Sequence, residues 1–390
     1  MSAPPNPHRP LPLLGGLTPA QFMRRHWQKR PLLIRGALVG RVPRLSRARL
    51  FALARSGGVE SRLVSRTERG AWTLAHGPFS RGALPPPTRP RWTLLVQGVD
   101  LHDDAARDLL DEFRFVPDAR LDDVMISWAS DGGGVGPHVD SYDVFLLQAH
   151  GRRRWRIARR FDAALRRDAP LKVLRRFAAE EEHVLEPGDM LYLPPGWAHD
   201  GVADGDDCIT YSIGFRAPRR EDLGVELVER LIDRDAGGDA GPLSRDRRQG
   251  ATRTPARVPA ALRGFAVAAV RRLASRNREV GRALGEALTK PKPHVVFDAR
   301  PRRWRTAAVA LDRQTAMLYD DEHLFINGES HRAAGKDAAL LRRLADRRGL
   351  PAAAVRAASA NARALLRAWF RAGWLRLAMD ARRASARRSA

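Results

Sequence analysis

The chain has a single cysteine, Cys208, among 390 residues. A lone thiol excludes an internal disulfide and any cysteine-rich zinc cluster, and it points to a reducing compartment. Lysine is almost as scarce: five of the 69 basic residues are Lys and the rest are Arg. No run of eighteen apolar residues occurs, so no membrane span is expected. Residues 1–16 are Pro-rich and lack a continuous apolar core, which argues against a secretory signal. Together these absences predict a soluble, cytoplasmic protein.

What is present is a core and a surplus of positive charge. Hydrophobic residues make up 44% of the chain and charged ones 29%, with nine Trp and thirteen Phe, so it can bury a real interior. Its length predicts two or three domains. The 44 acidic residues leave a net charge of +25. Exchanging Lys for Arg, as a GC-rich coding bias does, creates no net charge. The excess therefore predicts attraction to a polyanion, with nucleic acid or a ribonucleoprotein the obvious candidates.

A helical pattern with Phe22 and Trp27 begins at residue 18 and runs toward residue 38 through the apolar stretch Pro31-Leu32-Leu33-Ile34. Residues 92–96 read as a strand. The acidic segment after them interleaves Asp104, Asp108 and Asp111 with Leu109, Leu110 and Phe113, which fits a helix. Between residues 123 and 216 the pattern changes to short β-type runs at 124–128, 139–147, 154–158, 190–193 and 209–215. Turn residues separate them: Gly132-Gly133-Gly134, Gly151, Pro187-Gly188-Asp189 and Pro194-Pro195-Gly196. Evenly spaced short strands of this kind predict a small antiparallel barrel or sandwich.

After Pro218 the pattern is helical, with Leu223, Leu227, Leu231 and Ile232 on one face. Residues 233–255 read as a polar loop. A second helical pattern carries Leu262, Phe265, Val270, Leu273 and Val280, and Pro291-Lys292-Pro293 marks a boundary. Two strand-like runs, 315–319 and 323–326, precede helices rich in Ala, Leu and Arg. Residues 301–390 hold 19 basic and 8 acidic side chains. The tail, residues 376–390, reads as a solvated helix end rather than a dedicated RNA arm.

The chemistry concentrates in Gly136-Pro137-His138-Val139-Asp140-Ser141-Tyr142. On a strand, residues two apart share a face, so His138 and Asp140 project together. They supply two thirds of the two-His, one-carboxylate triad that holds Fe(II) and leaves positions open for cosubstrate and oxygen. The third ligand is expected from a later strand brought alongside, and His199, just past a strand and turn, is the candidate. One His-x-acid pair is expected by chance, and a second does occur at His102 and Asp104. That pair sits in a helical stretch, where residues two apart diverge.

Alternation also assigns faces in Gly151-Arg152-Arg153-Arg154-Trp155-Arg156-Ile157. Arg153, Trp155 and Ile157 share one face, and the apolar members mark it as inward. A guanidinium inside a barrel is costly unless it meets an anion. Either a structural acid or the far end of a metal-chelating dicarboxylate would serve. Arg152, Arg154 and Arg156 form an outward stripe, solvated or facing a polyanion.

Residues 131–145, from Asp131 through the glycines to His138, Asp140, Tyr142 and Phe145, are followed by Gly151-Arg152-Arg153-Arg154-Trp155-Arg156. In this combination the sequence resembles the bacterial ribosomal oxygenases, JmjC-type protein hydroxylases dependent on Fe(II) and 2-oxoglutarate. The similarity extends to residues 187–199, to Tyr211-Ser212-Ile213-Gly214-Phe215-Arg216, and to Trp27-Gln28-Lys29-Arg30-Pro31-Leu32. Spread over residues 18–216, these motifs are far more specific than a His-x-Asp pair.

The resemblance implies an α+β chain built on a double-stranded β-helix of the JmjC, cupin-like jelly-roll kind. Residues 1–90 would pack on the barrel, 91–217 form the catalytic core, 218–290 a helical dimerisation region, and 291–390 a winged helix. It implies hydroxylation of an arginine β-carbon in the sixteenth protein of the large ribosomal subunit, with Fe(II) as metal and 2-oxoglutarate and O₂ as cosubstrates. A homodimer working near ribosomal RNA, with no membrane partner, would follow. His138, Asp140 and His199 would ligate iron, and Arg153 would bind the distal carboxylate of 2-oxoglutarate. Ser127 adds a hydroxyl to that carboxylate or is an ordinary strand serine. Asp131 and Tyr142 would face the substrate, although Asp131 reads equally as a turn residue before the glycines. Histidyl hydroxylation or lysine demethylation at the same metal site, or a non-enzymatic nucleic-acid-binding protein, are the alternatives.

Overall fold

The computed structural model describes residues 4–43, 45–235, 260–275, 277–299, 304, 306–332 and 334–378. The chain opens with α1 (Pro19–Arg25), β1 (Leu32–Ile34), α2 (Arg47–Leu53), β2 (Ser61–Arg66), β3 (Trp72–His76), β4 (Trp92–Val96) and α3 (Asp104–Asp111). Then come β5 (Leu121–Ala129), β6 (His138–Val139), β7 (Asp143–Ala158), β8 (Glu181–Leu185), β9 (Met190–Leu193) and β10 (Ala198–Phe215). Helices α4 (Arg220–Asp235), α5 (Ala260–Ala274) and α6 (Asn277–Thr289) follow, then β11 (Val309–Leu311), β12 (Met317–Tyr319), β13 (His323–Ile326) and β14 (Glu329–Arg332). The remainder is α7 (Gly335–Arg347), β15 (Gly349–Leu350), α8 (Ala352–Ala357), α9 (Ala360–Arg371) and β16 (Leu375–Leu377).

Local chemistry sets the first boundaries. Helix α1 starts in a capping box: the Thr18 hydroxyl accepts from the Gln21 N–H, and the Gln21 side chain accepts from the Thr18 N–H. Helix α3 starts where the Asp103 carboxylate accepts from the Ala105 and Ala106 N–H groups.

Two compact units emerge. One gathers residues up to 217, 292–314 and the stretch from 346 on; the other holds 218–291 and 315–345. The first unit contains the jelly roll, in which ten strands form one sheet in the order β1-β9-β7-β10-β5-β4-β2-β3, with β6 on β10 and β8 on β7. The double-stranded β-helix expected from sequence is present, and β1, β2 and β3 add strands to it from the N-terminal segment.

The strands are not the evenly spaced short runs that the pattern predicted. The runs at 139–147 and 154–158 belong largely to one strand of 16 residues, β7, paired along much of its length with the 18-residue β10. Gly151 does not end a strand; it sits inside β7 at φ +62°, opposite register shifts in β10 between Asp204 and Thr210. The bend inverts side-chain parity. Val144 and Leu146 before it and Trp155 and Ile157 after it therefore share one buried cluster with Leu185, Leu191 and Leu193. On the other face, Phe145 and Leu147 join Phe22, Trp27, Tyr192 and Phe215 in the larger core. Strand β8, which the sequence pattern did not reveal, pairs with the second half of β7.

The same unit carries a three-stranded sheet, β15-β11-β16. In the second unit, β12, β13 and β14 form a meander in contact with α6. The second helical pattern is in fact two helices, α5 and α6. On α4, Leu231 is buried but Ile232 is 52% exposed, and on α5 Leu262, Phe265 and Val270 are exposed too. The predicted loop at 233–255 lies outside the described residues beyond 235, as do residues 379–390 of the tail.

Candidate metal centre

The small half of the jelly roll, β6 with the first half of β10 and the second half of β7, builds the site. His138 on β6 lies directly opposite His199 on β10, so the two imidazoles project to one face; their ring centroids are 4.2 Å apart. Asp140 follows β6 by one residue and is held by its backbone carbonyl, which accepts from the Gly196 N–H at 2.9 Å. Its carboxylate oxygens lie 3.8 Å from His138 Nε2 and 3.5 Å from His199 Nε2. Among the described residues these three form the one group of His, Cys, Asp or Glu side chains placed to hold a metal ion, with ligand atoms within 4.8 Å of one another.

The protonation pattern suits that role. His138 Nδ1 is 2.9 Å from the Gly136 carbonyl and His199 Nδ1 is 3.0 Å from the Trp197 carbonyl. Each Nδ1–H is thus committed to backbone, which leaves both Nε2 lone pairs facing the carboxylate. Burial, with the neighbouring His138 second, pulls His199 down to about 4, so its imidazole is neutral at physiological pH. A neutral imidazole is the form a metal requires.

Arg153 lies on the same face as the His cluster. It pairs with Ala203, four residues along β10 from His199, about 13 Å of strand. Its side chain is buried, and Nε and Nη2 have no hydrogen-bond partner. No acidic side chain among the described residues pairs with it, so the structural-acid alternative is not realised. Its guanidinium lies 5.7 Å from the Trp155 ring centroid, and that ring lies 5.9 Å from His199. The indole packs directly on Gly201, where a Cβ would come within 2.5 Å of the ring. Trp155 Nε1 is also buried without a partner.

The other residues singled out from sequence are more dispersed. Ser127 is buried on β5 opposite Thr210. Asp131 is exposed, and its carboxylate accepts from the Gly205 N–H at 2.9 Å, tying the glycine stretch to the β10 bulge rather than closing a local turn. Tyr142 is 39% exposed; burial, and then the adjacent Asp140 carboxylate, raise its hydroxyl pKa. The chance pair at His102 and Asp104 stays apart from the centre, with Asp104 3.0 Å from Arg313.

Sequence reasoning missed three contributors. Alternation turns Trp155 inward without indicating a part for it, and Gly201 carries no signal in the sequence. Arg62 on β2 aligns through Leu95 and Ser127 to Thr210, so it too faces this interior, with a buried and unpartnered Nε. Only the sheet register brings it there.

The sequence profile of the JmjC domain matches residues 108–223, and that of the ROXA-like winged helix matches residues 271–376. The ribosomal protein uL16 3-hydroxylase of Escherichia coli (strain K12) is 41% identical over 219 residues, 56% of this chain and 58% of that protein. The structure of the Escherichia coli ribosomal oxygenase YcfD with cobalt and succinic acid aligns at a TM-score of 0.77 and 30% identity, over 92% of this chain and 98% of that one. This chain belongs to the bacterial ribosomal oxygenase family. A second structure of the Escherichia coli oxygenase, with cobalt and 2-oxoglutarate, aligns at a TM-score of 0.78 and 29% identity over the same shares. The ribosomal oxygenase fold is thus α+β, a JmjC jelly roll followed by a winged helix, and no helix among the described residues is long and apolar enough to cross a membrane. The sequence match to the curated relative spans a little over half of that protein's length.

Proposed function

We propose that this chain is an Fe(II)- and 2-oxoglutarate-dependent protein hydroxylase acting on the β-carbon of an arginine side chain in the ribosomal protein uL16. The observation that carries the reading is the Arg153 guanidinium, buried and unpaired on the same face as His138, Asp140 and His199. A cation left without an anion inside a barrel is a binding site for an acid. The relatives support the rest: one is named a uL16 3-hydroxylase, and another was solved with cobalt and 2-oxoglutarate.

The donor set fits the metal: two imidazoles and one carboxylate leave room for cosubstrate and oxygen. When bound, Fe(II) supplies the oxidising chemistry, with 2-oxoglutarate and O₂ consumed and succinate and CO₂ released. The chain's own part is placement and exclusion of water. His138 and His199 present Nε2, their tautomers set by the Gly136 and Trp197 carbonyls. Arg153 would hold the distal carboxylate, with Ser127 adding a hydroxyl, and the Trp155 ring closes the wall between anchor and metal. Asp131 and Tyr142, both exposed, are the residues we assign to the substrate guanidinium, through a carboxylate and a phenol.

We also assign the chain to the cytoplasm, where uL16 and a reduced Cys208 are at home, and to a homodimer formed through residues 218–290. Val225, Val228 and Ile232 on α4 and Leu262, Phe265 and Val270 on α5 are 40% or more exposed, an apolar surface suited to a second copy. The net charge suits work close to ribosomal RNA. The deciding experiment supplies Fe(II), 2-oxoglutarate and purified uL16, then maps modified residues by mass spectrometry. One added oxygen on an arginine is expected. Loss of a methyl group, oxygen on a histidine, or no succinate at all would overturn the assignment.

A further inference from the structure

The outward arginine stripe of β7 takes no part in the metal centre. Arg156, with Asp200 and Val202 across the ladder, points away from the face that carries Trp155, His199 and Gly201. On that outer side lies a cavity of about 280 Å³ lined by Arg66, Arg156, Arg166, Arg175, Trp72 and Phe177, with Asp200 as the acid in its wall. A second hollow of about 420 Å³ borders it, sharing Arg166 and Arg175 and adding Leu165, Arg167 and Asp168; we call the two adjacent hollows together a groove. The segment between β7 and β8 that builds much of it holds seven basic side chains from residue 159 to 177, against two acidic ones.

The groove is built rather than incidental. Gly136 sits at φ +78°, and a Cβ there would lie 2.9 Å from the Trp72 ring and 3.1 Å from Val173. The indole therefore packs closely against the glycine stretch that leads into His138. Arg66 lies 5.4 Å over Trp72 and has no acidic partner among the described residues; Arg156 lies 5.8 Å over Phe177 and is paired with Asp200. Arg175 stands 3.5 Å from the exposed Asp162, a contact weak enough to yield to a stronger anion. Arg166 instead makes a bidentate pair with the exposed Asp168 at 2.6 and 3.0 Å, which a phosphate must displace.

Guanidinium forks match phosphate oxygens, and aromatic faces accept bases of any sequence, a pairing that defines single-strand binding grooves. An acidic peptide would use the arginines but leave Trp72 and Phe177 idle, and a duplex would present no base to stack. We infer that this groove binds single-stranded RNA, with a base against Trp72 or Phe177 and flanking phosphates on Arg166, Arg167 and Arg175. The choice of RNA over DNA rests on the ribosomal substrate proposed above; the groove itself does not.

The test is fluorescence anisotropy of a labelled uridine hexanucleotide with the full chain across a salt series, needing neither metal nor 2-oxoglutarate. Its failure would therefore leave the hydroxylase reading standing. Arg166→Glu with Arg175→Glu should weaken binding at least tenfold and lower the salt slope by about 1.4. Trp72→Leu should weaken it roughly tenfold. The control pair Arg24→Glu with Arg25→Glu, the same charge change on α1, should alter it less than about twofold. Equal losses in groove and control variants, equal affinity for a duplex, or displacement of the RNA by a glutamate homopeptide at matched charge would each overturn the inference. A DNA hexanucleotide bound tenfold more tightly than RNA would overturn the RNA assignment as well.

Discussion

Two buried polar sites in the same jelly roll are finished differently. Beneath the large half of the sheet, Asp143 is wholly buried, yet Tyr192 donates to it at 2.6 Å, Gln28 at 3.1 Å, and Arg120 stands 3.5 Å away. In the small half, Arg153 and Trp155 are just as enclosed but keep donors with no acceptor. Both arrangements bear the cost of removing polar groups from water. The Asp143 carboxylate recovers much of it through Tyr192 and Gln28, although Nη2 of the neighbouring Arg120 makes no hydrogen bond. A satisfied carboxylate ties Tyr192 and Gln28 into the fold. An unsatisfied guanidinium, beside three convergent ligand atoms, is a place kept for something else.

That contrast can be broken at either site. The largest effect on activity is expected for His138→Ala: 2-oxoglutarate turnover should fall at least about 100-fold, beyond the loss typical of a ligand's outer partners. Circular dichroism should show the fold retained, and full turnover would refute the metal role. At the satisfied site, Asp143→Ala strands Tyr192, Gln28 and Arg120 and should cost about 3–5 kcal/mol of stability, read from denaturant midpoints. A cost under 1 kcal/mol would erase the contrast drawn above. Arg153→Met should behave in the opposite sense. Without 2-oxoglutarate its melting temperature should hold or rise, because an unpaired buried charge is gone, while KM for 2-oxoglutarate climbs about 10–100-fold. An unchanged KM would remove Arg153 from the anchor role.

The smallest effect concerns Asp123 on β5, which burial pushes up to about 6 from an ordinary 3.8. The folded chain therefore holds this proton over a pH range where the unfolded chain has released it. Its contribution to stability is greatest below pH 3.8 and is lost as pH rises through 6. Asp123→Asn keeps an acceptor for the Gly98 N–H and should raise the melting temperature at pH 8 by a few degrees. A variant whose melting temperature still falls as steeply between pH 4 and 6 would show that another group titrates there.

Much of the centre was legible from period-two alternation. His138 with Asp140, and Arg153 with Trp155 and Ile157, are paired by a rule that needs only the local strand. Alternation could not reveal that two runs were one strand, because the bend at Gly151 resets parity and reads in sequence as a turn. Strand β8, Glu-Glu-His-Val-Leu, was hidden because it shows no apolar alternation: its two glutamates are exposed and only Leu185 is fully buried. Helical periodicity likewise drew an apolar face on α4 and α5 but could not say what covers it.

Residue types and their spacing therefore determined, before any fold was known, that the chain carries a His-x-Asp metal motif, an inward arginine and a surplus of positive charge. These are properties of neighbours along the chain, set by side-chain chemistry and the pleat. Tertiary structure alone decided that His199 faces His138 across a ladder and that Gly201 leaves space for Trp155. It also decided that no acid among the described residues reaches Arg153, and that a charged outer stripe meets Trp72 and Phe177 in a groove. Each depends on strand register between segments tens of residues apart, and register is fixed by how the whole sheet buries its apolar face.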